Sequence, residues 1–345
     1  MSPFPVGKLP HELLARLLEE HKPDDPRVLL GPGVGLDCAV VDVNGLCLVM
    51  KSDPITFTAR ELGWYAVHVN ANDVATTGAA PKWFLATLLL PERGSEEQLV
   101  QSIFQEVGDA CRSVGAQLLG GHTEITTGLE RPILCGTMLG EVPRERLITP
   151  QGARPGDRIL LTKGVPIEAT SILAHEFRDR LLALSPSLLA RALNYLHDPG
   201  ISVVPEALAA AEAGGVTAMH DPTEGGLASG LWELAQASKT GMVVDYEAIP
   251  IPEESREICA VLAINPLEAI ASGALLLTVR LREISRILDA ITSKGIYAVE
   301  IGQVVAGSRV AMRRKDKTEI LDWPKRDALA TLFSSGSKSI RPFSV

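Results

Sequence analysis

Carboxylates and amides are the groups in this chain best suited to chemistry. Asp37, Asp53, Asp73 and Asp221 stand in four separated places, the third within Asn70-Ala71-Asn72-Asp73. Oxygen ligands of this kind suit magnesium, which takes one or two carboxylates together with the phosphates of a substrate. An aspartate at a strand end or helix start is by default a cap or turn residue. The apolar neighbours of Asp37 and Asp73 argue against that default, because a buried carboxylate is costly unless paired or metal-bound. Two glycine pairs complement the acids. L-L-G-G-H-T-E, with Gly120, Gly121, His122 and Thr123, follows an expected strand, and the missing Cβ lets its backbone approach a ligand. M-H-D-P-T-E-G-G-L-A, Met219 to Ala228, also follows a strand and leads into Leu227, Leu231 and Leu234 at helical spacing. Its Gly225-Gly226 turn can open a helix whose amides face an anion, or it can be a simple cap. Neither pair matches a Walker loop or a dinucleotide fingerprint.

The surrounding pattern says which elements must carry these groups. D-C-A-V-V-D-V and L-C-L-V-M-K-S-D flank Asn44-Gly45, the strongest short-range sign of a tight hairpin. The hairpin places Asp37 and Asp53 at one open end, and ideal register puts Leu36 opposite Asp53. Thr58-x-x-Glu61 reads as a capping box opening a helix to about Gly78. On that helix Val67, Ala71 and Val74 share an apolar stripe beside a polar one of Asn70, Asp73 and Thr77. Strands are expected at 82–90, 116–119 and 132–141, with a helix at 96–114. A leucine stripe over 9–21 predicts an amphipathic helix packed on the first domain. The turn-rich T-P-Q-G-A-R-P-G-D marks a domain junction near 150–156. Beyond it, helices at 167–175, 186–195 and 203–213 alternate with strands at 216–219, 242–246, 274–279 and 298–304. The expectation is a mixed α/β, two-domain protein, 1–152 and 153–335, with a loose tail at 336–345.

At 345 residues and 46% hydrophobic content the chain can fill two cores. A formal net charge of -9 without a basic block speaks against nucleic acid as a partner. No apolar run reaches the length of a membrane span and no signal pattern opens the chain, so a cytoplasmic location is expected. Five cysteines without a C-x-x-C pair and seven histidines without a ligand pattern support neither a disulfide framework nor a structural zinc site.

The ordered set resembles a family. V-N-A-N-D-V-A-T-T-G-A-A-P resembles the N-D-x-A-x-x-G-A-x-P segment of the ATP-dependent superfamily that includes aminoimidazole ribonucleotide synthetase, HypE, thiamine-monophosphate kinase and selenophosphate synthetase. M-H-D-P-T-E-G-G-L-A is similar to the M-H-D-P-T-R-G-G-L-A of HypE, and L-D-C-A-V-V, K-S-D-P-I, L-L-G-G-H-T-E, I-P-I-P and N-P-L-E fall in the expected order. The resemblance covers about 31–307. It implies a PurM-like two-domain fold, a homodimer pairing its amino-terminal sheets, and ATP with Mg2+ near that interface. Asp37, Asp53 and Asp73 would be metal ligands. Lys51, Asn70, Gly120, Gly121, His122, Thr123, Asp221, Gly225 and Gly226 would contact the nucleotide, its phosphates or their metal. The chemistry implied is phosphoryl activation of a carbonyl, amide or similar acceptor, which leans on positioning and charge neutralisation. A protein partner in metallocentre maturation is implied with it.

Several positions depart from the HypE pattern. The family's paired aspartates appear as Leu36-Asp37, His122 replaces an aspartate, Ala271-Ser272-Gly273 stands for N-E-G, and Glu224 replaces an arginine. The last cysteine is Cys259, well before the terminal R-P-F-S-V, so the acceptor is expected in trans. Glu92 in L-P-E-R-G is the candidate acid or base. A nucleotide-binding assembly partner without turnover and a small-molecule kinase resembling thiamine-monophosphate kinase are the alternative readings.

Overall fold

The computed structural model describes residue 4 and residues 9–33, 35–56, 58, 60–315, 317–324 and 326–335. The expected tail, 336–345, lies outside them. Strands β1 (Val28–Leu30), β2 (Ala39–Val43), β3 (Leu46–Ile55), β4 (Ala80–Pro91), β5 (Gln117–Thr126) and β6 (Ile133–Pro143) form one sheet in the order β1-β2-β3-β6-β4-β5. Its pairs are antiparallel except β4 with β5. The Asn44-Gly45 hairpin forms with Val43 opposite Leu46. Both turn residues take the positive φ that such a turn requires, 56° and 89°.

Helices α1 (His11–Glu19), α2 (Leu62–Thr76) and α3 (Glu97–Ser113) belong to this half. The stripe of α1 is less buried than its spacing predicts, with Leu13, Leu14 and Leu18 half-covered and Leu17 exposed. By contrast α2 is covered on nearly every side, its polar Asn70, Asn72 and Asp73 included. The expected capping box does not form. Thr58 accepts from the Arg60 amide, while Glu61 sits at φ 51° and pairs with His197. The Gly63 amide is satisfied from α3 instead, by Glu106 Oε2 at 3.0 Å. A Cβ at Gly63 would lie 2.6 Å from the Val107 nitrogen. Close helix packing therefore supplies the cap that local sequence seemed to offer.

The second half holds β7 (Arg158–Thr162), β8 (Val216–His220), β9 (Gly241–Asp245), β10 (Leu276–Val279), β11 (Ala298–Val305), β12 (Val310–Arg314) and β13 (Lys317–Ile320), ordered β13-β12-β9-β11-β7-β10-β8. Around it lie α4 (Ile167–Glu176), α5 (Pro186–Leu193), α6 (Val204–Ala213), α7 (Gly226–Ser238), α8 (Glu253–Leu262), α9 (Ile284–Thr292) and α10 (Ala328–Ser335). The charged run around Arg313-Arg314-Lys315 hides the β12–β13 hairpin from a search for apolar alternation. One apolar cluster spans both halves, joining Val67, Val74 and Phe84 to Val203, Ala207 and Leu277. Buried Asn72 pins the seam, donating to Ile201 O and accepting from the Val203 amide, both at 2.8 Å. No helix among the described residues is long and apolar enough to cross a membrane.

Candidate nucleotide and metal site

Six of the sequence-identified groups, Asp37, Lys51, Asp53, Asn70, Asp73 and Asp221, meet where β3, α2 and the end of β8 converge. Asp53 is fixed on β3 by Asn70 of α2, whose Oδ1 accepts the Asp53 amide at 2.8 Å. Lys51, two residues earlier, shares the face of Asp53. Its ammonium lies 3.1 Å from Asp53 Oδ2 and 2.8 Å from Asp73 Oδ2, with the side chain 11% exposed. Lys51 is thus an interior ion-pair partner. Burial opposes its charge, but Asp73, Asp37 and Asp53 outweigh burial and hold it well above the usual lysine range.

Pairing of β2 with β3 stops at Ala39 opposite Met50, so Leu36 never comes opposite Asp53. Freed from the ladder, Asp37 turns towards the second half, where its Oδ2 lies 3.2 Å from His220 Nδ1. His220 Nε2 reaches Glu233 Oε2 of α7 at 2.9 Å. Burial disfavours the imidazolium, yet the hydrogen bonds it donates to these two carboxylates overcome burial and raise His220 well above its ordinary value. Sequence reasoning missed both His220 and Glu233. Their signal is the spacing Gly226, Gly230, Glu233 on one face of α7. A Cβ at Gly230 would stand 3.2 Å from the His220 ring.

Asp73 from α2 and Asp221 from the end of β8 face each other across the seam. Neither Asp221 oxygen has a hydrogen-bond partner among the described residues. Burial, with the charges of Asp37 and Asp53, raises Asp73 to about 6, and burial with the charge of Asp73 raises Asp221 well above the carboxylate range. Around this point Asp37, Asp53, Asp73, Asp221 and Glu233 confront two cationic groups, Lys51 and His220. Such an excess of negative charge, buried at Asp73 and Asp221, is stable only with protons or added cations. Among the described residues no three His, Cys, Asp or Glu side chains converge as a ready metal cage. The carboxylates form pairs, the arrangement suited to magnesium that completes its shell with phosphate and water.

Gly120 to Thr123 form a second station. Ala86, Leu88, Ile103, Phe104, Val107 and Leu134 complete with them a small, largely apolar pocket of about 180 Å³. Asp53, Gly136, Ala86 and Gly121 occupy one row across β3, β6, β4 and β5. Three strand spacings, roughly 14 Å, therefore separate the stations. Asn70 and Phe84 fill the face between them, since a Cβ at Gly136 would lie 2.7 and 2.6 Å from their side chains. Gly121 is required by close approach, with φ 144° and an added Cβ 1.8 Å from Ala86 O. His122 pairs with Glu124 at 3.1 Å on the exposed strand. Glu92 stands in an exposed turn after β4, apart from both stations.

The Gly225-Gly226 turn departs from the expected role as an anion cradle. Both residues have positive φ and open α7, but the amides are already engaged. Gly225 N–H donates to Asp327 Oδ2 at 2.7 Å, Gly226 N–H to Thr223 O at 2.9 Å, and Ala228 N–H to Leu267 O at 2.9 Å. An internal carboxylate thus occupies the place a phosphate would take at a free helix start. Gly226 is needed for packing, because its Cβ would lie 2.5 Å from Ala269 O.

Residues 35–142 match the family model described as AIR synthase related protein, N-terminal domain, and residues 154–315 match the corresponding C-terminal domain. The chain belongs to the AIR synthase-related family, in its HypE-like branch. It is similar to carbamoyl dehydratase HypE of Cupriavidus necator, 31% identical over 81% of this chain and 80% of that protein. In fold it is similar to HypE in the crystal structure of a HypE-HypF complex, with TM-score 0.75, 20% identity, and 90% and 99% of the two chains covered. It is likewise similar to the crystal structure of hydrogenase maturation protein HypE in complex with ATP, with TM-score 0.71, 24% identity, and 94% and 97% covered.

Proposed function

We propose that this chain is an ATP-dependent, HypE-like enzyme that activates a carbonyl, amide or similar acceptor supplied in trans, in the maturation of a hydrogenase or related metallocentre. The observation that carries this reading is the pair Asp73 and Asp221, buried and facing, delivered from the two halves of the chain, with both Asp221 oxygens lacking a hydrogen-bond partner among the described residues. Asp73 and Asp221 would hold magnesium, with phosphate and water completing its shell, and the metal neutralises phosphate charge when bound. Lys51 and His220 keep the remaining carboxylates in place. The similarity to a carbamoyl dehydratase and to a HypE with bound ATP supports the same nucleotide and acceptor class.

Cys38, Cys47, Cys111 and Cys259 are buried, out of reach of an acceptor. Cys259 is 2% exposed and burial pushes its pKa up to about 12, far from a reactive thiolate. Delivery by a partner protein follows, and the structure of HypE with HypF is a precedent for such an assembly. A homodimer belongs to the same reading. β5 is an unpaired edge whose Leu118, Leu119 and Ile125 are exposed beside Leu85, a surface that invites pairing with a second copy. Dimerisation there would place the Gly120–Thr123 station at the interface.

The test is ADP release by purified protein with Mg-ATP, with and without candidate acceptors. Acceptor-dependent release supports the reading. ATP binding without turnover, together with a stable complex recovered from cells, would favour an assembly partner, and a phosphorylated small molecule would favour a kinase.

A further inference from the structure

The two interior cations of the acidic seam each straddle a pair of carboxylates, and the members of each pair come from different elements. His220 lies between Asp37 and Glu233, at 3.2 and 2.9 Å. Lys51 lies between Asp53 of its own strand and Asp73 of α2, at 3.1 and 2.8 Å. Asp221 is left outside both arrangements. It stands against the Asp73 carboxyl, with no hydrogen-bonded cation among the described residues.

The fold fixes where the Lys51 ammonium goes. β3 pairs with β6 in unbroken register, Lys51 opposite Met138 and Asp53 opposite Gly136, so lysine and aspartate are held on one face of the sheet. α2 brings Asp73 onto that face, and the Lys51 side chain ends 11% exposed. A lysine beside a nucleotide site commonly serves as a point charge for phosphate. Here two of its three donors are directed to Asp53 and Asp73. The ammonium therefore does the work of a bridging divalent ion, cancelling charge and tying β3 to α2. Magnesium, held by one or two carboxylates and several waters, would need the same pair of carboxylates. The two cations exclude each other, since like charges in contact repel strongly where solvent is scarce.

We infer that the Lys51 ammonium occupies the place of a second divalent cation, so that the seam takes one Mg2+ per chain, between Asp73 and Asp221, and that Lys51 sets this number. The inference rests on the Mg-ATP reading above. Removing the ammonium should turn Asp53 and Asp73 into a second metal site, with water filling the vacated space.

The experiment uses the whole chain with Mn2+, an ion that suits the same oxygen ligands as magnesium and is counted by electron paramagnetic resonance. Wild type should hold one Mn2+ per bound ATP. Lys51→Ala should hold two. Its melting temperature, lowered in EDTA, should be restored by Mn2+ without nucleotide but not by KCl of equal ionic strength. Lys51→Ala combined with Asp53→Asn removes both members of the ion pair, and should fold without metal and return to one Mn2+. Two ions in the wild type would overturn the inference. So would a Lys51→Ala protein that no divalent cation restores, or one that keeps a single ion while ATP affinity falls, the behaviour of a phosphate contact. Failure of the wild type to bind Mn-ATP at all would instead remove the reading beneath it.

Discussion

Replacing Asp221 with asparagine should stabilise the nucleotide-free protein while abolishing much of its response to Mg-ATP. The side chain keeps its size and can donate to Asp73, but it no longer carries a carboxyl whose ionised form burial and the Asp73 charge disfavour. Relieving a buried polar group left without a partner is worth about 1–3 kcal/mol, which sets the scale of the gain. The sign follows from linkage: a carboxyl whose folded pKa lies above its unfolded one costs stability as pH rises above the unfolded value, with the full cost above the folded value. The gain should thus be larger at pH 8 than at pH 5 and shrink as pH falls towards 3.8. Wild type at a hundredfold excess of Mg-ATP over Kd should gain about 2.7 kcal/mol by mass action, and the variant much less. Urea unfolding at pH 8 and pH 5, in EDTA and in Mg-ATP, reads all four values. A variant no more stable than wild type in EDTA at pH 8, or one stabilised equally by Mg-ATP, would refute the reasoning.

Other expectations are equally specific. His68 is buried against Trp64, its Nδ1 unpartnered, with its pKa lowered by burial to about 3. The unfolded chain takes up this proton near 6.5 and the folded one does not, so acidification below 6.5 should cost up to about 1.4 kcal/mol per pH unit. His68→Gln should flatten urea midpoints between pH 7 and 4.5 by about one proton's worth, and an unchanged slope would contradict this. Gly121→Ala should destabilise more than Gly120→Ala by about 2 kcal/mol or more, because both are strained at positive φ but only the former meets backbone. Equal melting temperatures for the two variants would speak against that packing. Leu119→Lys, 58% exposed on the free edge of β5, should yield monomers by light scattering if β5 pairs two copies, and an unaltered dimer would place the interface elsewhere.

Much of the layout was legible because it rests on local chemistry. Asn44-Gly45 specifies its turn by backbone conformation, and the apolar runs around it could pair only one way. The stripe on α2 correctly set Asn70 and Asp73 on neighbouring positions facing the sheet. What sequence could not show arises from contacts between distant segments. The Thr58-Glu61 box loses to Glu106 reaching from α3. The Gly225-Gly226 turn, locally an anion site, is closed by Asp327 about a hundred residues later. Lys51, expected as a nucleotide contact, is drawn into ion pairs with Asp53 and Asp73 once α2 covers it. Asp37 is turned inward by His220 and Glu233, partners whose sequence positions give no hint of proximity to β2.

The account stands on one claim, that the acidic seam between the two halves binds a magnesium nucleotide. Calorimetric titration of ATP into the wild-type protein, with and without Mg2+, tests it most directly, with Asp73→Asn and Asp221→Asn as comparisons. Binding that requires Mg2+ and weakens by tenfold or more in either variant, about 1.4 kcal/mol, is the predicted result. ATP binding that ignores Mg2+ and both substitutions, or no binding at all, would contradict it.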